Sequence, residues 1–184
     1  MLFKRCAAMT IGWLSLLGVQ ASCLAATLDI GLSNDVAQVT YAMEYRQNLT
    51  GHVSLLHADL TRQQSNVASL GFFTSQNAGD LTPRLGAKLF LVDGEGAGNS
   101  AYGVALSVGS DFVLKPKWVL AVDVSYAPKV ITGGDFEEYY ELSARCAYQL
   151  INNGSIYLGY QKNQAVSPNY QVYQGGVAGI RLKF

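Results

Sequence analysis

Apolar residues recur at every second position in about ten separate runs of this chain, and a period of two is the signature of a strand with two unlike faces. The runs are TLDIGLS (27–33), VAQVTYAMEY (36–45), HVSLLHAD (52–59), VASLGFFTS (67–75), RLGAKLFLV (84–92), AYGVALSVG (101–109), WVLAVDVSYA (118–127), EYYELSARCAYQL (138–150), SIYLGYQ (155–161) and YQVYQGGVAGIRLKF (170–184). In the seventh, Trp118, Leu120, Val122, Val124 and Tyr126 share one face, while Val119, Ala121, Asp123, Ser125 and Ala127 share the other. In the fifth, Leu85, Ala87, Leu89 and Leu91 oppose Arg84, Gly86 and Lys88. In the eighth, Tyr140, Leu142, Ala144, Cys146 and Tyr148 oppose Tyr139, Glu141, Ser143, Arg145, Ala147 and Gln149. The connections NLTG, GDLTP, DGEGAGNS, TGGD, INNG and QAVSPN carry the residues that turns demand. No helical period stands out. The prediction is an all-β, antiparallel up-and-down barrel of about eight to ten strands, ten fitting best. Merging the short first or ninth run with a neighbour would give the smaller number.

Two architectures share this pattern. A soluble barrel or sandwich turns its apolar face inward, whereas an outer-membrane barrel turns it to lipid and keeps polar residues in the lumen. Three features favour the membrane. Aromatics bracket the apolar face, as in Trp118 and Tyr126 or Tyr140 and Tyr148. Eight residue steps of ~3.4 Å at a tilt of ~40° give ~20 Å of depth, near the ~25 Å apolar band of such barrels. The second face is also too poor in charge for a water-facing surface, with single charges among Gly, Ala and Ser. Finally, the chain ends on Phe184, in phase with Ala178, Ile180 and Leu182. A terminal aromatic on a lipid face resembles the C-terminal signal read by the barrel-assembly machinery during biogenesis.

Composition agrees. Of 184 residues, 49% are hydrophobic and 14% charged, well under the roughly 25% charge of soluble domains, and formal net charge is zero. That balance offers nothing to nucleic acid.

The N-terminus has its own pattern. Lys4 and Arg5 precede the apolar MTIGWLSLLGV (9–19), and Cys23-Leu24-Ala25 offers small residues to a signal peptidase cutting before Ala26 or Thr27. Residues 1–25 thus read as a secretory signal peptide and 26–184 as the barrel domain. An uncleaved anchor, or lipidation at Cys23 after Gln20-Ala21-Ser22, are the other readings. The apolar run falls short of the ~20 residues a spanning helix needs.

The segments TPRLGAKLFLVD, YAPKVITGGDFEEYYELSARCAYQLINNGSIYLGYQ and GGVAGIRLKF resemble the YfaZ family of small proteobacterial outer-membrane proteins. The resemblance covers most of the mature chain. It implies an outer-membrane β-barrel in a Gram-negative bacterium and carries no catalytic residue with it.

Candidate chemistry is sparser. His57 and Asp59 share a face and, with a serine, would suggest acyl transfer, yet no nucleophile motif occurs. A polar pair near a strand end explains them as well. Asp135, Glu137 and Glu138 form an acidic loop able to meet cations bridging lipopolysaccharide, although a solvated loop also explains it. NLTG (48–51) matches a glycosylation sequon but reads as a periplasmic turn. GEGAG lacks the following helix of a phosphate cradle. Cys146, alone after the signal, reads as a small lipid-facing hydrophobe. No cofactor or metal site is expected.

The charges on the second face are the remaining candidates. Asp29, Glu44, Asp123 and Glu141 balance Arg84, Lys88, Arg145 and Arg181. Placed in a lumen they form a structural ion-pair network, with Asp123 opposite Ser143 and diagonal to Glu141 and Arg145. The expected protein is a small, non-enzymatic outer-membrane barrel with a structural, adhesive or narrow-channel role and a largely plugged, charged lumen. Its partners are outer-membrane lipid and lipopolysaccharide. An outer-membrane enzyme acting on lipid or peptide is the alternative, and a soluble periplasmic lipocalin-like carrier a further one. The carrier would need an apolar interior, which these eight charges oppose.

Overall fold

The structure, a computed structural model, describes residues 25–60, 63–94, 100–167 and 170–184. All of the expected signal segment but Ala25 lies outside the described residues, and so does most of GEGAG.

Ten long strands form: β1 (Ala25–Leu32), β2 (Val36–Arg46), β3 (Leu49–Leu60), β4 (Gln63–Ser75), β5 (Leu81–Gly94), β6 (Ser100–Lys115), β7 (Trp118–Ala127), β9 (Glu138–Ile151), β10 (Gly154–Ser167) and β11 (Tyr170–Lys183). Between β7 and β9 a single 3-10 turn, Lys129–Ile131, leads into a three-residue strand, β8 (Thr132–Gly134). Every neighbouring pair is antiparallel. The sheet closes because β1 pairs with β11, from Thr27↔Lys183 to Leu32↔Ala178. Closure leaves no long edge for another chain to pair with. β8 occupies the stretch of β6 that β7 does not reach, pairing Ala101–Gly103 with Gly134–Thr132. Among the described residues no helix is long and apolar enough to cross a membrane.

The strands outrun several of the expected ranges. β6 continues through Ser110–Lys115 past the alternating AYGVALSVG, because DFVLK keeps pairing with Leu81–Pro83 and Val119–Leu120 although its alternation fails. A bulge between Val113 and Lys115 absorbs the misfit.

Both described termini and the turns at Gln47–Asn48, Gln76–Asp80, Pro116–Lys117 and Asn152–Asn153 lie at one end of the barrel. The longer Pro128–Glu137 connection lies at the other. An even strand number with short periplasmic turns puts the termini in the periplasm and the longer loops outside. SQNAGDLTP turns tightly on the periplasmic side, with Gly79 at φ +73° and Ala78 bridged to Leu81.

The outward face is apolar. Leu85, Leu89, Leu91, Leu106, Val108 and Leu158 all stand exposed, Leu158 by 70%. Trp118 packs on Tyr148 at 4.9 Å near the periplasmic end, and Tyr126 is in register with Tyr140 near the other. Such a belt, bounded by aromatics, suits hydrocarbon and not water. Cys146, a free thiol between Leu120 and Leu158 in register, belongs to it.

Candidate functional site

The lumen gathers the charges that interrupt the strands. β5 supplies Arg84, β6 Asp111, β7 Asp123, β9 Arg145, β1 Asp29 and β11 Arg181. Arg84 donates from Nη1 to Asp111 Oδ2 at 2.7 Å and from Nη2 to Asp123 Oδ1 at 2.8 Å. Asp123 Oδ2 accepts from Arg145 Nη2 at 3.3 Å. Arg145 Nη1 reaches on to Asp29 Oδ2 at 3.4 Å. Arg181 also serves Asp29, from Nε at 2.9 Å and Nη2 at 2.8 Å. The result is one chain of alternating carboxylate and guanidinium groups across the lumen. Tyr157 completes it, donating its hydroxyl to Asp29 Oδ1 at 2.6 Å while its ring lies 5.5 Å from the Arg145 guanidinium carbon.

Planar guanidinium groups suit this arrangement because each offers several fixed donors to more than one carboxylate. Removing a single member leaves its neighbours short of one partner in a part-buried site, which costs more than breaking an exposed pair. Close approach demands missing side chains. A Cβ on Gly179 would lie 2.4 Å from the Tyr157 hydroxyl, so the glycine is what admits that ring to Asp29.

The other predicted site residues distribute differently. Lys88 pairs with Glu141, one step nearer the loop end, so Glu141 does not serve Arg145. Asp123 sits opposite Ser143 in register, and of its two diagonal neighbours it bonds Arg145. Glu44 faces the lumen at the periplasmic rim and forms no ion pair among the described residues. His52, also in the lumen, stacks on Phe73 at 4.6 Å. Asp111 and Tyr157 belong to the network although the sequence pattern did not single them out.

Toward the loop end the lumen changes character. Phe90 stacks on Tyr139 at 4.7 Å, and Phe136, from the Pro128–Glu137 connection, packs on Tyr170 at 5.5 Å. Val172 and Tyr173 fill in beside them, and all six side chains are at most 7% exposed. Two of the polar ends find partners locally: Ser65 Oγ shares a 2.7 Å hydrogen bond with the Tyr170 hydroxyl, and Tyr173 donates to the Gly176 carbonyl at 2.8 Å. This is the apolar core of the molecule, and it sits inside one end of the barrel. Beneath it a cavity of about 520 Å³ reaches from Leu56 and Val67 down to Thr27, Glu44, Ser75 and Thr82 at the periplasmic end.

The outer candidates do not assemble. His57 and Asp59 are exposed on the outside face, where His57 Nδ1 lies 2.8 Å from Asn66 Oδ1. Among the described residues no serine hydrogen-bonds with either side chain. The acidic loop is engaged with its own neighbours: Glu137 pairs with Lys129 at 2.6 Å, and Asp135 accepts from the Ser100 amide at 3.1 Å.

A closed ten-stranded barrel with a lipid-compatible exterior and a charged interior is an outer-membrane β-barrel protein. Residues 5–184 match the family described as YfaZ precursor, and the chain belongs to that family. No curated protein matches it. Among solved structures it is similar to a KdgM porin, at 9% identity and TM-score 0.48, over 88% of this chain and 99% of that one. It is also similar to a bacterial polysaccharide outer membrane secretin, at 9% identity and TM-score 0.48, over 85% of this chain and 57% of that one. OmpT of Vibrio cholerae is similar at 10% identity and TM-score 0.40, over 86% of this chain and 64% of that one.

Proposed function

We propose that this protein is a non-enzymatic barrel whose lumen is a blind cup, open to the periplasm and closed toward the outside. Its role is structural, in contact with outer-membrane lipid and lipopolysaccharide. The observation that carries this reading is the packed set Phe90, Phe136, Tyr139, Tyr170, Val172 and Tyr173 within the loop end. Aromatic and aliphatic side chains packed in contact leave no polar path for a hydrated solute. The Asp111–Arg84–Asp123–Arg145–Asp29–Arg181 chain supports it from below, because each charge is already neutralised by a neighbour.

Liposome swelling tests the reading. Vesicles carrying the purified barrel should swell in a monosaccharide no faster than empty vesicles. Swelling at the rate of a general porin would overturn it.

A further inference from the structure

A second cavity, of about 260 Å³, opens at the periplasmic end beside the guanidinium–carboxylate chain. Its walls combine Lys117, Asn152 and Asn153 of the two periplasmic turns with inward residues of β6, β7, β9, β10 and β11. Backbone hydrogen bonds lock these together: the Gln149 amide donates to the Lys117 carbonyl, and the Lys183 amide to the Asn153 carbonyl, both at 2.8 Å. The two turns and the strand end therefore form one fixed wall.

The charge of this wall is unlike that of the larger cavity. Lys117, Arg145, Arg181 and Lys183 line it against the single carboxylate of Asp111. Arg145 and Arg181 are engaged with Asp29 and Asp123, but neither Lys117 nor Lys183 has a carboxylate partner among the described residues. The surplus is thus two ammonium groups at the mouth. Behind them the buried Arg145 Nε carries a proton that no acceptor among the described residues takes. The side-chain amides of Asn152 and Asn153 add neutral donors at the rim. Convergent ammonium, guanidinium and amide donors in a partly enclosed site are the chemistry that holds a compact oxyanion.

We propose that this periplasmic pocket binds a small oxyanion, a phosphate or carboxylate group, between Lys117 and Lys183 with Arg145 at its base. At about 260 Å³ the space is ample for one such group. Periplasmic solute and the headgroup of an anionic phospholipid both present it. The inference goes beyond the blind-cup reading and does not depend on it, because the pocket is reached from the periplasm whether or not the loop end is closed.

The test is amide chemical-shift mapping of the full mature barrel in an uncharged detergent. Inorganic phosphate and succinate are titrated separately at low ionic strength. Saturable shifts are expected, confined to Lys117, Gln149, Asn152, Asn153 and Lys183, with millimolar or tighter affinity that sodium chloride weakens. Lys117→Gln, in an exposed turn, should weaken binding several-fold while leaving the heat-modifiable folded band intact, and Lys183→Gln should do the same. The same shifts in phosphatidylglycerol nanodiscs without added anion, absent in phosphatidylcholine nanodiscs, would assign the site to a headgroup. Their absence there would assign it to a free anion. No saturable shift with either anion or with phosphatidylglycerol overturns the proposal, and so does binding that Lys117→Gln and Lys183→Gln leave unchanged.

Discussion

Arg84 and Asp123 stand on β5 and β7 with β6 between them, yet their side chains meet at 2.8 Å. The register explains how. Gly109 lies opposite both residues, and a Cβ there would fall 2.1 Å from Asp123 Oδ1. The missing side chain is the passage through which the ion pair forms. Gly109→Ala should therefore displace the Asp123 carboxylate and cost about 1–3 kcal/mol, the range for leaving a desolvated polar group without its partner. Denaturant unfolding of the refolded barrel in lipid vesicles measures it. A loss within error of zero would show that the pair is not held through this gap.

Asp123 also bonds Arg145, so the two should couple energetically. Asp123→Asn and Arg145→Gln, made singly and together, should show an interaction of about 0.5–3 kcal/mol in a double-mutant cycle. Strictly additive losses would mean that water, and not the partner, solvates each charge. The side chains retain 24% and 29% exposure, which places the expected value toward the lower part of that range.

The two faces of one barrel should respond oppositely to charge. Val122→Arg puts a guanidinium into lipid and should cost about 2–4 kcal/mol. From sequence alone Ser125→Arg is the natural lumen control, tolerated if space allows. Space is lacking, because Ser125 is buried and shares a 2.8 Å hydrogen bond with Ser107. Ala42 lines the larger cavity and is the better control. Ala42→Arg should cost far less than Val122→Arg in the same vesicle unfolding assay, and equal costs would mean the faces are reversed.

Phe184 exchanges backbone hydrogen bonds with Ala26, at 2.8 and 3.2 Å, and its ring is 69% exposed. A ring that packs against little of its own barrel contributes little to folded stability, so its loss should act on assembly. Deleting Phe184 should lower the amount of folded barrel in the outer membrane markedly while leaving the unfolding midpoint of refolded protein nearly unchanged. Quantitative blotting of the heat-modifiable band reads the first quantity. Normal levels of folded protein would remove Phe184 from any recognition role.

The strands were legible because lipid on one side and a charged lumen on the other enforce strict alternation, as in Trp118–Ala127 and Glu138–Ile151. Where either constraint lapses the pattern fades. Phe112, Val113 and Leu114 run on without alternating near the periplasmic turn, so no period marks the end of β6, and Asp111 with it. β8 is too short to show a period at all. The charged half of the lumen was visible because Asp123 and Arg145 break apolar runs. The apolar half was not, because alternation puts Tyr139 on the inner face without showing that Phe90 of a distant run stacks on it. Only closure of the sheet reveals that the inward set converges on Phe136, carried in by a loop that has no period of its own.

The central claim is that the loop end of the lumen is closed by this convergence, and single-channel recording in planar bilayers tests it most directly. The wild-type barrel should give no steady conductance, and Phe136→Gly combined with Tyr139→Ala should introduce openings by removing two of the stacked side chains. Large, steady wild-type conductance, unaffected by that pair of substitutions, would contradict the account.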